Sequence, residues 1–242
     1  MTASQSIPIP QNAIATYLFM VGGGGGGYFL GTAGSGGASG AIGAFVIDHR
    51  RVGVTNGGSV AIGIGAGGVG SNAGGSTTVS IGSLTLTAQG GQPAQSNNPS
   101  TPGSMLTVVG VDLQFWAGRA INLLGGLYVP TAANPLLNYG ANGSSGLGVT
   151  GTSIINAPGG NSGANGGSHA ALVLPYWVKA AGIALGTPGN VSASNGGGAA
   201  SFNGAGGNGG GTSATGFGGG GGAGSSTAGA PGCVVICFEV PA

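Results

Sequence analysis

The chain has 242 residues, 61 of them glycine, with four basic and three acidic side chains and a formal net charge of +1. Glycine at one residue in four excludes an ordinary globular composition; the 12 scattered prolines, without a Gly-X-Y period, exclude collagen; a mean hydropathy of +0.36 excludes a solvated linker. With Arg50, Arg51, Arg119 and Lys179 as its only Lys or Arg residues, the chain cannot build a phosphate-tracking nucleic-acid surface or a polybasic membrane switch.

Residues 1–11 carry no basic run, and the apolar stretch 14–21 is too short to span a bilayer, so no secretory signal is expected. A strand is predicted over 13–21 (AIATYLFMV), rich in β-branched and aromatic residues. It runs into glycines that recur in threes: positions 31, 34, 37, 40 and 43 form an unbroken row, continued backwards by Gly25 and Gly22 with Tyr28 between. Three residues per turn, about 3.1 Å rise and no internal hydrogen bonds define the polyproline II geometry, which polyglycine adopts as polyglycine II. Such helices satisfy their amides only by bonding sideways to close neighbours, and the close approach leaves no room for Cβ. A linker needs no such period.

Further strands are predicted over 44–54, 59–64, 77–81 and 84–88, with Asn56-Gly57-Gly58 as a hairpin turn between the first two. Residues 111–124 (VDLQFWAGRAINLL) give the one helix signal, weakened by Gly118. Shorter glycine rows follow at 140–146 and 160–166. Between 204 and 224 two of three rows are glycine-rich, while the third carries Ala205, Asn208, Ala214, Phe217 and Ala223. The last strand is predicted over 233–240 (CVVICFEV) and is expected to pair with the first. Cys233 and Cys237 lie on it four residues apart, about 13 Å in an extended chain, too far for a disulfide. The fold class is all-β: a small sandwich-like base of N- and C-terminal strands with a glycine-rich polyglycine II bundle and little helix. One compact glycine-rich domain divides into residues 1–91 (first strands and glycine segments), 92–190 (variable middle) and 191–242 (glycine tract and closing strand).

The succession YLFMVGGGGGG, GSVAIGIGAGGVG, AGGSTTVSIGSLTLTAQGG and GAPGCVVICFEV resembles the glycine-rich domain of bacteriophage tail and tail-fibre proteins. It is similar in style to distal adhesins, receptor-binding tip proteins in which glycine motifs form a polyglycine II sandwich and loops touch the host. The resemblance covers residues 12–91 and 195–240; the middle departs from it, and no fibre-shaft repeat is visible. It implies a virion protein of the tail fibre or tail tip, made in the host cytoplasm and extracellular after release. Its partners would be other tail proteins and a host-surface receptor, whether protein, pilus or glycan, without membrane insertion. It leaves open a homotrimer or a single copy capping a trimer. The alternative is a purely structural tail-tip or capsid decoration protein with the middle as assembly interface. An ice-binding protein of the glycine-helix type is disfavoured by the long apolar stretches.

With Asp48, Asp112 and Glu239 as the only acids and His49 and His169 as the only imidazoles, no catalytic arrangement, cofactor or metal site is predicted, and the chain is not expected to be an enzyme. The cluster Asp48-His49-Arg50-Arg51 reads as a solvated strand end. Aromatic residues are scarce, seven Phe, five Tyr and two Trp, and several concentrate in two segments. One holds Phe115, Trp116, Arg119, Tyr128 and Tyr139; the other holds Tyr176, Trp177 and Lys179. Trp, Tyr and Arg give large contact area at low entropic cost, so these eight residues are the candidate receptor or partner contacts. The competing reading makes them a hydrophobic centre or subunit interface. Tyr28, Phe29 and Phe217 are expected to cap or line the bundle.

Overall fold

Side chains that alternate between apolar and polar settle into strands with one face inward, and a computed structural model of the chain contains such strands beside others buried on both faces. It describes residues 1–30, 33–54, 57–94, 103, 105–106, 113–117, 166, 174–192 and 195–241. The strands are β1 (Gln5–Pro8), β2 (Ala15–Val21), β3 (Tyr28–Leu30), β4 (Ala33–Ser35), β5 (Ile42–Asp48), β6 (Ser59–Gly63), β7 (Thr77–Ile81), β8 (Leu84–Ala88), β9 (Met105–Leu106), β10 (Leu113–Ala117) and β11 (Cys233–Glu239), with one short helix, α1 (Tyr176–Ala180). The fold is all-β and the ladders between named strands are antiparallel, ordered β1-β6-β7-β8-β9, β10-β5-β2-β11 and β3-β4.

The first and last long strands do pair, Val21 opposite Cys233 and Ala15 opposite Glu239. In β7 and β8 the burial alternates strictly: Val79, Ile81, Leu84 and Leu86 turn inward, Thr78 and Thr85 outward. They meet Leu18, Met20, Phe45, Ile47 and Val234 from the other sheet, so two sheets face each other across one apolar core. The four-stranded sheet is buried on its second face too. There Phe19, Val21, Ile42, Ala44 and Val235 pack with Phe202 and with Leu174 and Val178 at α1. Phe19 meets Phe202 edge to face, ring centroids 5.4 Å apart. Burying a side chain of this size contributes about 1.5–3 kcal/mol.

Two expectations are corrected. Residues 113–117 form β10 rather than the start of a helix, because this segment pairs with β5, Leu113 opposite Val46, and a β-bulge between Gln114 and Trp116 absorbs its irregular pattern. The rest of 111–124 lies outside the described residues. Asn56 also lies outside them, but β5 and β6 belong to different sheets, so these two strands do not pair as the expected hairpin. Gly57, at φ +83°, has the left-handed backbone that glycine adopts without steric cost.

The glycine segments continue the strands end to end. From β2 the chain enters residues 22–27, whose amides cycle through their neighbours: Gly22 and Gly25 donate to Ala41 and Ala38, Gly23 and Gly26 to Gly75 and Asn72, and Gly24 to Ala230, at 2.8–3.1 Å. Their carbonyls accept in the same rotation, Gly23 and Gly26 from Gly91 and Ala94, Gly24 from Gly68 and Gly25 from Gly221. Each direction therefore recurs every third residue, and the thread is walled in by other extended segments. A Cβ on any of residues 22–27 would land on a neighbour's backbone, Gln89, Ala66, Gly219, Gln92, Gly70 and Gly222 in turn. The predicted row acts likewise, since a Cβ at Gly37 or Gly40 would strike Gly25 or Gly22. The tract 204–224 is not one thread: Gly211, Gly216 and Gly218, at φ +92°, +74° and +72°, fold it back on itself.

Candidate binding surface

The molecule offers a base, a flank and a far end. At the base, Asp48 and Arg50 form an exposed ion pair, Nη2 to Oδ2 2.6 Å, and the Arg50 guanidinium and amide hydrogen bonds hold the Asp48 carboxyl down to about 2. His49 departs from the solvated reading: it is 4% exposed, its Nδ1 donates to Ala13 O at 2.9 Å, and Nε2 accepts from Thr16 Oγ1 at 2.7 Å. A carbonyl only accepts, which fixes that tautomer. His49 thus clips β2 to the end of β5. Cys233 and Cys237 are free thiols; burial pushes Cys233 up to about 12 and raises Cys237 as well. Among the described residues no three of His, Cys, Asp or Glu gather where they could hold a metal ion. Among them, too, no helix is long and apolar enough to cross a membrane.

On the flank lie the sequence-predicted residues of α1. Pro175 precedes its first turn, a position that tolerates the missing amide and presets the backbone angle. Five residues are too few for a helical period to be legible in LVLPYWVK. Val178 is fully buried and pins the turn to the sheet. Trp177 is half-buried and packs edge to face on Tyr17, centroids 5.2 Å apart, while the Tyr17 hydroxyl donates to Glu239 Oε2 at 3.0 Å. That bond raises the Tyr17 pKa. Tyr176 is 85% exposed and Lys179 is exposed beside it. Phe115 and Trp116 lie on β10, at the opposite edge of the sheet from β11. Arg119, Tyr128 and Tyr139 lie outside the described residues.

The far end is built from turns where glycine threads reverse. Gly70 donates to Thr227 O at 2.9 Å, Gly196 to Gly34 O at 2.8 Å and Ala223 to Gly196 O at 3.0 Å, which ties turn 69–72, the β3–β4 hairpin, and the turns near 195 and 225 into one cluster. Side chains lock its loops: Asn72 Nδ2 donates to Val69 O at 2.7 Å, and Asn208 Oδ1 accepts from the Asn190 amide at 2.8 Å. On this frame Phe29, Val69 and Val191 stand 38%, 52% and 38% exposed. Composition does not single out Val69 or Val191, and the expectation for Phe29 is that it caps or lines the bundle. Comparison with known proteins brings no match, either to a protein-family model or to a curated protein.

Proposed function

We propose that this chain is a bacteriophage virion protein, a tail-fibre or tail-tip adhesin that binds a host-surface receptor without catalysis. In this reading the cross-bonded glycine threads are a polyglycine II bundle, the β sandwich is the base that docks to the particle, and the far-end turns meet the host. The observation that carries it is the far end itself: exposed Phe29, Val69 and Val191 on loops whose backbones are bonded to one another and to threads continuous with the strands. Loops held this way lose little entropy on binding, and several copies on one particle turn weak contacts into firm adhesion. Tyr176 and Lys179 supply a second contact on the flank, whereas Trp177 is occupied in packing.

The test is adsorption of the purified protein to cells of a host that the phage infects. Replacing Phe29, Val69 and Val191 together by Ser is expected to lower cell binding at least about tenfold, and replacing Tyr176 and Lys179 by Ala to lower it less. Binding unaffected by both sets overturns receptor contact at these sites. Absence of cell binding by the unaltered protein favours the structural tail-tip or decoration role.

A further inference from the structure

Between residues 222 and 227 the last glycine thread reverses: on one side of the turn Gly218 donates to Pro231 O, and Gly219 O accepts from Ala230 on the way back. Three hydroxyl residues in a row, Ser225, Ser226 and Thr227, end this turn. The two serines are exposed, whereas Thr227 is 3% exposed. A buried hydroxyl needs a partner, and this one donates back across its own turn to Gly222 O and to Gly224 O, the latter at 3.1 Å. Among the described residues no other donor reaches Gly222 O, which belongs to a buried residue. The Thr227 side chain therefore closes the turn and satisfies a carbonyl inside the bundle.

The other far-end segments all meet this turn. Thr227 O accepts from the Gly70 amide at 2.9 Å and Ala228 bridges Val69, which fixes the loop that presents Val69. The Ala223 amide donates to Gly196 O at 3.0 Å, and the neighbouring Asn195 exchanges backbone hydrogen bonds with Ser192, next to Val191. Gly27 lies against Thr227 itself and leads directly into β3, which carries Phe29. A Cβ at Gly27 would strike Gly222 O and Thr227 Oγ1, and a Cβ at Gly224 would strike Thr227 Cγ2. Two glycines thus make room for one threonine.

We infer that Thr227 is the positioning residue of the far end: its hydroxyl sets the turn 222–227, and that turn sets where Phe29, Val69 and Val191 stand relative to one another. Its part in binding rests on the adhesin reading; its part in the geometry does not. Without the hydroxyl, Gly222 O stays in the bundle with no donor, and the turn must open to water to hydrate it. The three apolar side chains then lose their common frame, and ordering them again on a receptor costs affinity.

Three variants of the full chain test this. Thr227→Val removes the hydroxyl at nearly constant shape, Thr227→Ala removes it without setting a methyl against the two carbonyls, and Thr227→Ser keeps it. Circular dichroism establishes which are folded, and Thr227→Ala carries the test if Thr227→Val does not fold. Amide exchange is read at Gly70, Gly196 and Ala223, the donors that join the turns. Loss of the hydroxyl is expected to speed it at least about fivefold while β2 stays as slow as in the unaltered protein, and Thr227→Ser is expected to keep it slow. Adsorption to host cells should follow the same order, falling at least about fivefold without the hydroxyl and holding with serine. Unchanged exchange at the three amides overturns the inference, as do acceleration that extends equally to β2, a serine variant as fast as the hydroxyl-free one, or failure of both hydroxyl-free variants to fold. Faster local exchange with undiminished adsorption overturns the role in binding. If the unaltered protein does not adsorb at all, the adhesin reading fails, and exchange alone decides whether Thr227 sets the turn.

Discussion

Two glycines that look alike in the sequence have opposite physical roles. A Cβ at Gly24 would strike the Gly219 carbonyl, while at Gly210 it would meet nothing closer than Ser192 Oγ at 3.6 Å. Gly24→Ala is therefore expected to destabilise the protein by about 1–3 kcal/mol, as overpacking does. Gly210→Ala is expected to be neutral or stabilising by about 0.4–1 kcal/mol, through the entropy of the unfolded chain. Urea unfolding of both variants checks the pair. Cys233 provides a second test: its folded pKa lies above the ordinary thiol value of 9.0, raised to about 12 by burial. A raised pKa means its contribution to stability is present below about 9 and is lost as the pH climbs towards 12. In the native protein at pH 8, a thiol reagent should modify Cys237 first and leave Cys233 untouched; equal rates would contradict the burial.

At the level of elements, β2 shows what the sequence makes legible and what it does not. Its run of apolar residues identified a strand, yet nothing local says that both faces are covered, Leu18 and Met20 by the second sheet, Phe19 and Val21 by Phe202 and the α1 region. Phe19→Ala should cost about 3–5 kcal/mol in urea unfolding, the scale for emptying a packed aromatic site. A loss below 1 kcal/mol would mean the second face is not a core. Strands Thr77–Ile81 and Leu84–Ala88 were readable to the residue, because alternation and flanking glycines both mark their ends. β10 was not, because its bulge disturbs the period and its partner β5 lies far away in sequence. α1 was not, because one turn has no period to detect; its position is set by Val178 and by Trp177 on Tyr17, both tertiary contacts. The far-end residues were hidden for a related reason. Phe29, Val69 and Val191 come together only when the threads between them are aligned.

For the molecule as a whole, the account rests on glycine threads that act as structure. Strands from both sheets run on into them, so the base and the far end are linked by one network of backbone hydrogen bonds. Charge contributes little to holding it together, since the Asp48–Arg50 ion pair is exposed; Asp48→Asn should leave the melting temperature within about 2 °C of the unaltered value. A binding role at the turns requires that this network be stiff. The most direct measurement is amide hydrogen exchange in the intact native protein at residues 22–27 and 218–222. The account predicts that Gly22–Gly26 and Gly218, Gly220, Gly221 and Gly222, the donors of interthread bonds, exchange as slowly as the amides of β2. Exchange of those glycines at the rate of an unfolded chain, while β2 stays protected, would contradict it.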